Sequence, residues 1–355
     1  MNKDDLFFDP HSVLPLVHAT RGDLVESIHS GAIAIVDKEG NLFASYGNPE
    51  LVTFLRSSSK PIQAMPLIEL GGAEHFHLTK QEISIMCASH RGTDIHVKVL
   101  EGLQKKIGIS ESNLMCGTHP ISDRPTAEAL ILRGEEPGQN RHNCSGKHTG
   151  FLAQAILREK SIENYIDLQH PVKQLVLKTF AEMVHLPVED VHVGIDGCSV
   201  PVFGVPLRNA GWGFASLCDP TELSPSRAKA CQLIVEAMTA APDMVSGPGQ
   251  FDTELMRVGN GKIIAKAGAE GYQSIGILPG AFGANSPALG IVFKIADGDS
   301  LNRARPLVGI EILRQLGVLN DQQITSLANF YTRPILNWRK LEVGQLLPVF
   351  QLKFH

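Results

Sequence analysis

Strand-like segments lie at both ends of this chain and enclose a long helical middle, and this order constrains the fold more than any other feature. Near the N-terminus, residues 32–36 and 42–46 flank a turn-prone segment, which predicts a β-hairpin. Towards the C-terminus, residues 255–258 and 262–265 flank Gly-Asn-Gly, which is typical of a second hairpin. Further strands are predicted over residues 273–278 and 288–295.

Between these strands, apolar residues recur at the three- and four-residue spacing of amphipathic helices. We therefore expect the two chain ends to pair in one antiparallel sheet with helices packed around it, in an α+β fold. Because no repeat and no linker interrupts the pattern, a single domain is predicted over residues 1–355. The predicted helices cover residues 93–106, 148–158, 171–184, 224–240 and 304–316.

Composition excludes several classes of protein. Apolar residues make up 43% of the chain and charged residues 19%, which is typical of a folded protein and not of a disordered one. A net charge of −5, without any basic block, argues against nucleic acid as the main partner. The N-terminus has no apolar signal core, and no segment reaches membrane-spanning length. With six cysteines and no C-x-x-C pair, we expect a cytoplasmic protein whose cysteines are thiols or ligands.

Residues 56–61 read R-S-S-S-K-P and place Ser57 three residues before Lys60. On a helix these two side chains share a face, so a partly desolvated lysine can act as the base for the serine hydroxyl. Ser57 would also lie at a helix N-terminus, where the dipole stabilises an oxyanion. The alternative is a serine cluster that only caps the helix, because S-x-x-K occurs often by chance.

Three further segments combine reactive side chains with turn-prone residues. Residues 87–92 place Ser89 before a histidine and an arginine, either at an active-site edge or at a capped helix end. In residues 143–150, Cys144 with Lys147 or His148 forms half of a possible metal site; the spacing is not that of a phosphate-binding loop. Residues 196–201 offer Cys198 as a partner, and such ligands suit zinc, although two buried thiols are the alternative.

A fifth segment, residues 265–271, places Lys266 at the end of a probable strand, before glycines. A lysine in that position can reach back into a cleft, or it can be a surface lysine in a turn. The position is similar to that of the K-[ST]-G motif in penicillin-recognising enzymes, but Ala267 replaces the hydroxyl residue.

Taken together and in this order, the motifs at residues 56–61, 87–90, 143–148, 196–201 and 266–271, with the segment of residues 21–31, resemble one family. This is the family of rhizobial-type L-asparaginases, also called class 3 or asparaginase II. Each motif alone is weak, but six in order over roughly 250 residues are specific. The segment after Ser89 and His90 departs from the family pattern of a small residue followed by Gly-Glu, because this chain has R-G-T-D there.

The resemblance implies a homodimeric hydrolase, an amidohydrolase that converts L-asparagine to L-aspartate and ammonia, with a fold similar to those of glutaminases and serine β-lactamases. It implies two Ser-Lys tandems, Ser57 with Lys60 and Ser89 with Lys266, with Ser57 as the nucleophile. It also implies a zinc ion held by Cys144, Lys147 and Cys198, with water completing the shell. The residues that the resemblance places around the substrate are Arg56, His148 and Asp196.

Hydrolysis of a carboxamide needs a nucleophile, a base and an oxyanion stabiliser, and Ser57, Lys60 and the helix N-terminus provide one of each. An α-amino acid also needs charged partners, for which Arg56, Asp196 and Glu270 are available; which of them binds the amine and which the carboxylate is open.

Two alternative functions remain. A β-lactamase-like or peptidase-like hydrolase could use the same S-x-x-K, but S-D-N and K-[ST]-G are missing. A non-catalytic amino-acid-binding protein on the same fold would not need Ser57 or the lysines. A thiol redox protein is disfavoured because no C-x-x-C is present.

Overall fold

The structure, a computed structural model, describes residues 9–355. Within that range the strands are β1 (Leu14–Arg21), β2 (Leu24–Asp37), β3 (Leu42–Tyr46), β4 (Val52–Phe54), β5 (His192–Ile195), β6 (Pro201–Pro206), β7 (Ile263–Ala267), β8 (Tyr272–Ile277), β9 (Leu289–Ile295), β10 (Arg333–Leu336), β11 (Glu342–Pro348) and β12 (Lys353–Phe354). The helices are α1 (Lys60–Glu69), α2 (Gly72–His75), α3 (Lys80–Met86), α4 (Asp94–Ile107), α5 (Arg124–Arg133), α6 (Ser145–Leu157), α7 (Pro171–Met183), α8 (Leu207–Cys218), α9 (Pro225–Ala240), α10 (Pro242–Val245), α11 (Phe251–Val258), α12 (Arg305–Gln315), α13 (Asp321–Ser326) and α14 (Ala328–Tyr331). No helix among these residues is long and apolar enough to cross a membrane.

Strands from both ends of the chain pair in one antiparallel sheet. Its order is β10-β11-β1-β2-β9-β8-β7, and β3 lies beside β2 with β12 at its other edge. The N-terminal strand β1 therefore pairs with the C-terminal strand β11, with Val17 opposite Pro348. The predicted α+β class, with an antiparallel sheet formed by both chain ends, is confirmed.

The centre of this sheet is buried on both faces. Residues 32–36 of β2 are all buried, although successive side chains point to opposite faces of a strand. Helix α8 packs against β2, β8 and β9, and α12 packs against β8 and β11. A continuous apolar run in place of an alternating one is the sequence signature of such a doubly covered strand.

The hairpin predicted near the N-terminus is confirmed, because β2 and β3 pair with Ile33 opposite Tyr46. The second predicted hairpin is wrong. The residues assigned to its first strand belong to helix α11, which buries Phe251, Leu255 and Met256 at helical spacing. The Gly-Asn-Gly segment joins this helix to β7, and β7 pairs with β8.

The five predicted helices are confirmed as α4, α6, α7, α9 and α12, with ends shifted by up to three residues. Each of these helices buries part of its surface against the core. The buried apolar residues of the described chain form a core cluster that runs from β1 to the C-terminal segment. The single-domain organisation over residues 1–355 stays a prediction, and residues 1–8 lie outside the described part of the chain.

A second, three-stranded sheet with the order β4-β6-β5 lies apart from the main one. Strand β4 leads into a 3-10 turn over Arg56–Ser59, and this turn continues directly into α1. The turn between β5 and β6 carries Asp196 and Cys198 and is closed by a hydrogen bond from the Asp196 N–H to the Val200 carbonyl (2.9 Å). The small sheet therefore places the segment of residues 56–59 near the segment of residues 196–199.

Candidate active site

A cleft of about 430 Å³ opens where four loop segments meet. The segments are the turn of residues 56–57, the loop of residues 116–119, the start of α6 with residues 142–144, and the β5–β6 turn with residues 196–199. Three motifs that are more than 50 residues apart in sequence thus share one cleft. Among the predicted site residues, those that line it are Arg56, Ser57, Cys144, Asp196 and Cys198.

Arg56 and Asp196 form an ion pair on the wall of this cleft. The Arg56 Nε and Nη2 atoms lie 2.9 and 2.8 Å from Asp196 Oδ1, and the carboxylate is almost completely buried. Arg56 and Ser199 both adopt left-handed backbone conformations, with φ of +52° and +71°. Non-glycine residues in this conformation are strained, and such strain clusters at functional sites.

The Ser89 hydroxyl lies between two buried lysine side chains. Lys60 Nζ and Lys266 Nζ are each 3.0 Å from Ser89 Oγ. Lys60 also donates to the carbonyl oxygens of Ala88 and Asn143, and Lys266 donates to the Ala267 carbonyl (2.7 Å). Two amines on one hydroxyl form a group that can remove and return a proton.

Lys266 is poised to act as a base at neutral pH. Burial, helped by the positive charges of Lys60 and Arg305, lowers the pKa of Lys266 to about 7, and the Asp252 carboxylate only partly opposes this. Asp252 is itself held behind β7, where it accepts a hydrogen bond from the Ala267 N–H (2.7 Å). A lysine that is half neutral near pH 7 suits proton transfer to and from a hydroxyl.

Ser57 lies in the 3-10 turn at the cleft wall, and its side chain is half-buried. Among the described residues, the Ser57 hydroxyl has no hydrogen-bond partner, and Lys60 contacts Ser89 instead. The turn is tied to β7 by Ser58, whose hydroxyl donates to the Lys266 carbonyl (2.6 Å). The two predicted tandems are thus brought to the same region, with Lys60 and Lys266 both on Ser89.

The thiols of Cys144 and Cys198 lie against each other beside Lys147. Lys147 Nζ is 3.0 Å from Cys198 Sγ, and Asp196 Oδ2 is 3.9 Å from the same sulfur. A hydrogen bond from Cys198, together with the charges of Lys60 and Lys147, holds the pKa of Cys144 well below its ordinary value, whereas burial opposes this. The hydrogen bond to Cys144 and burial raise the pKa of the Cys198 thiol.

This donor set is compatible with zinc, since it offers two sulfur ligands and an amine. Burial opposes the charge on Lys147, but the neighbouring thiols and Asp196 raise its pKa, so the amine must lose a proton before it can coordinate a metal. Within residues 9–355, no three histidine, cysteine, aspartate or glutamate side chains converge as a metal site requires. A zinc site at this position therefore depends on Lys147 as its third protein ligand.

Two predicted substrate-binding residues do not line the cleft. His148 is fully buried and its Nδ1 is bonded to the Tyr165 hydroxyl (2.7 Å), while its Nε2 has no partner among the described residues. Glu270 lies in the β7–β8 turn, next to Ala269, which does line the cleft. The Glu270 carboxylate lies near Gly298.

The loop of residues 116–119 contributes to the site and was missed in the sequence. His119 Nε2 accepts a hydrogen bond from the Asn143 N–H (3.0 Å), and its ring packs edge-on against His142. Cys116 adds a third thiol to the cleft, and burial raises its pKa to about 12. The only signal in the sequence was a cysteine and a histidine around one glycine.

Arg91 lies in the segment that departs from the family pattern, and it contacts Gln250 (2.9 Å).

The sequence model of the L-asparaginase II family matches residues 17–348 of this chain. Among solved structures, a probable glutaminase from Bacillus subtilis complexed with 6-diazo-5-oxo-L-norleucine aligns at 13% identity over 81% of this chain and 82% of that chain, with a TM-score of 0.36. A Bacillus glutaminase in the presence of 4.3 M NaCl aligns at 11% identity over 81% and 91% of the two chains, with a TM-score of 0.38. Among curated protein sequences, none matches the chain.

The family match includes strands from both ends of the main sheet and every motif of the site, and it defines the class of protein as an amidohydrolase. The chain belongs to the L-asparaginase II family.

Proposed function

We propose that this protein hydrolyses L-asparagine to L-aspartate and ammonia. The observation that carries the proposal is the Ser89 hydroxyl between the amines of Lys60 and Lys266, beside a cleft lined by Ser57 and by the Arg56–Asp196 ion pair. Such a site combines hydroxyl nucleophiles, a base that is half neutral near pH 7 and charged groups for an amino acid. Membership of the L-asparaginase II family supports the choice of asparagine.

The ion pair suggests how a zwitterionic amino acid is held. An α-carboxylate can bind the Arg56 guanidinium, and an α-ammonium can bind the Asp196 carboxylate. Binding of the substrate would then replace the single Arg56–Asp196 ion pair with two ion pairs, one to each charged group of the substrate. Because Asp196 is almost completely buried, leaving it without a cationic partner would be costly, and the substrate amine provides one. This assignment places the side-chain amide of the substrate towards the serines.

Ser57 is the proposed nucleophile, because it is the serine of the two tandems that lines the cleft. Its oxygen attacks the carboxamide carbon, the proton passes to a lysine amine, and the C–N bond breaks as that proton is delivered to the leaving ammonia. Water then hydrolyses the acyl-enzyme and regenerates the serine. Ser89 in this scheme relays the proton between Lys60 and Lys266.

Ser89 is the second candidate nucleophile, and the two lysine contacts at 3.0 Å favour it. Mass spectrometry of protein treated with a diazoketone analogue of asparagine separates the two assignments. A label on the peptide containing Ser57 supports the first assignment, and a label on the peptide containing Ser89 supports the second. A label on neither peptide, together with no turnover of asparagine, would exclude a serine amidohydrolase.

We also propose that Cys144, Lys147 and Cys198 hold a zinc ion. The mutual contact of the two thiols, the lowered pKa of Cys144 and the 3.0 Å approach of Lys147 to Cys198 support this ligand set. When bound, zinc would supply a Lewis acid at the cleft wall. The residues of the chain would hold it there through two thiolates and a neutral amine.

Elemental analysis of freshly purified, reduced protein tests the metal site. We expect close to one zinc per chain in the wild type and loss of zinc in Cys144→Ser and in Cys198→Ser. Cys218→Ser is a matched control, since Cys218 is a buried thiol on α8 and is not among the cleft-lining residues. Zinc retained in both ligand variants would mean that the metal is bound elsewhere.

The assembly is proposed to be a cytoplasmic homodimer, as in the family that the sequence resembles. Light scattering coupled to size-exclusion chromatography tests the dimer, with twice the mass of one chain as the expected result. A mass equal to that of one chain at micromolar concentration would contradict it.

A further inference from the structure

His90 follows Ser89 directly, and its ring is fully buried with both nitrogen atoms in hydrogen bonds. The Gly92 N–H donates to His90 Nδ1 (3.1 Å), so the proton of the neutral ring is on Nε2. Nε2 lies 2.8 Å from Ser145 Oγ and donates to it, because the Ser145 hydroxyl in turn donates to the Asn140 carbonyl (3.0 Å). The donor and the acceptor of each of these three hydrogen bonds are therefore fixed.

The ring has little freedom to move. It stacks on His96 with 4.9 Å between the ring centres and 19° between their planes. His96 is held by the Thr93 hydroxyl and the Asp243 carbonyl, at 2.6 and 3.0 Å. Burial keeps the pKa of His90 well below its ordinary value, so the ring stays neutral.

The His90–Ser145 bond joins the same two segments that Lys60 joins. Lys60 Nζ contacts the Ala88 carbonyl and the Ser89 hydroxyl on one segment, and it contacts the Asn143 carbonyl (3.3 Å) on the other. The spacing between residues 88–90 and residues 143–145 therefore sets how far the acceptors of Lys60 lie from one another. The contacts of Lys60 alone cannot fix that spacing, because a lysine side chain is flexible.

We propose that His90 is a positioning residue, which acts through its bond to Ser145 to hold the Ser89 segment against the start of α6 and thereby keeps the Lys60 amine on the Ser89 hydroxyl. As a statement about catalysis, this rests on the proposed function. His90 itself need not touch the substrate. The Arg56–Asp196 pair lies on other segments, so substrate binding should depend little on this bond.

We call the His90–Ser145 hydrogen bond the bridge. Two amide substitutions of His90 distinguish a role of the bridge from a role of the ring in packing alone. The amide nitrogen of glutamine can reach the position of His90 Nε2, so His90→Gln keeps the donor to Ser145. The amide oxygen of asparagine can occupy the position of Nδ1, so His90→Asn keeps the acceptor for Gly92 and loses the bridge. We expect kcat for L-asparagine to stay within about threefold of wild type in His90→Gln. In His90→Asn and in Ser145→Ala we expect it to fall by tenfold or more, with KM changed less than threefold.

The double variant His90→Asn/Ser145→Ala should be no slower than the slower single variant, because both changes remove the same His90–Ser145 bond, and the Ser145–Asn140 bond is lost in Ser145→Ala with or without the second change. Ser216→Ala is the matched control, because Ser216 is a buried serine on helix α8 whose hydroxyl also contacts a histidine, at 3.2 Å from His185 Nε2. The kcat of this variant should equal that of the wild type. Equal kcat in the asparagine and glutamine variants, or multiplied losses in the double variant, would overturn the proposal.

Hydrogen exchange tests the bridge without using activity. Amides of residues 140–149 should exchange at least fivefold faster in His90→Asn than in wild type, because that change removes the bond to Ser145 and keeps the Ser145–Asn140 bond, whereas Ser216→Ala should leave them unchanged. Unchanged exchange in His90→Asn would overturn the proposal even if activity fell. A wild-type protein that releases no ammonia would instead refute the proposed function, and the exchange result would still decide whether the bridge exists.

Discussion

At the scale of single residues, the amines of Lys60 and Lys266 are buried, and among residues 9–355 no carboxylate contacts either of them. Lys60 and Lys266 are 1% and 0% exposed, and both donate to Ser89. For Lys266, with its pKa lowered to about 7, each unit of pKa shift corresponds to about 1.4 kcal/mol of stability. The unfolded chain holds the proton more tightly, so this cost is fully present below pH 7 and declines as the pH rises towards the ordinary pKa of lysine.

Replacing Lys266 with methionine should therefore abolish activity while making the fold more stable. We expect Lys266→Met to raise the Tm by a few degrees at pH 7, because the desolvated amine is removed and a side chain of similar length fills its place. Lys173→Met is the control, since Lys173 is also buried and has a lowered pKa but contacts the Phe151 ring. Both variants should gain stability, and only Lys266→Met should lose ammonia release. A lower Tm in Lys266→Met would contradict the argument.

The pH dependence of the reaction should report the same amine. If neutral Lys266 takes part in proton transfer, kcat/KM should fall as the pH decreases through about 7, since the amine becomes protonated there. Steady-state rates between pH 5.5 and 9, with the fold monitored by circular dichroism at each pH, measure this limb. A rate that stays constant down to pH 5.5 would exclude Lys266 as the base.

At the scale of elements, helix α6 carries Lys147 in its first turn, and Cys144 precedes its first residue. Its position depends on a close approach to α3. A Cβ added at Gly146 would lie 2.0 Å from the Ile85 carbonyl oxygen, which is backbone and cannot move aside alone. Because Gly146 has no side chain, the start of α6, next to Cys144, can approach the end of α3, which precedes Ser89 in the chain.

Gly146→Ala should push the two helices apart and weaken both the fold and the site. We expect a loss of about 1–3 kcal/mol in the free energy of unfolding, as for other overpacked positions, together with reduced ammonia release. Gly102→Ala is the matched control, because Gly102 is an exposed glycine in α4 with no atom within 4 Å of an added Cβ. That change should stabilise the helix by about 0.5–1 kcal/mol. Chemical denaturation of the two variants measures both effects, and equal stability would contradict the close approach.

Elements with strong periodicity could be predicted from the sequence, and short ones with mixed signals could not. The helix α7 and the strand β9 follow directly from their apolar spacing. The sequence predicts a strand where helix α11 lies, because Gly-Asn-Gly is a strong hairpin signal, while the burial that favours the helix depends on tertiary packing. The order of the motifs predicts the candidate site residues, but the contact of Lys60 with Ser89 depends on how separate segments meet. The loop of residues 116–119 has no periodicity that could reveal it.

At the scale of the whole molecule, the main sheet closes the chain on itself. The family match runs from residue 17 to residue 348, and Val17 and Pro348 face each other in the β1–β11 pair. Strand β7, which carries Lys266, lies at one edge of this sheet, and β10 lies at the other. The position of Lys266 therefore depends on a sheet that is complete only when the C-terminal strands have paired.

Removing the C-terminal strands should therefore abolish cooperative folding. A chain ending at residue 332 loses β10, β11 and β12, exposes the edge of β1 and removes the buried residues Leu346, Phe350 and Leu352. We expect this variant to be insoluble or to unfold without a cooperative transition. A chain ending at residue 352 loses only β12 and should keep its Tm within a few degrees. A cooperative transition in the shorter chain, seen by calorimetry, would contradict the account.

The measurement that tests the central claim most directly is ammonia release by the purified wild-type protein, with L-asparagine and L-glutamine compared at equal concentration. We expect ammonia and L-aspartate in equal amounts from L-asparagine, and much slower release from L-glutamine. A double variant, Ser57→Ala/Ser89→Ala, should release none, whichever serine attacks. Release of no ammonia from L-asparagine by zinc-loaded wild-type protein, or undiminished release by the double variant, would contradict the proposed serine amidohydrolase.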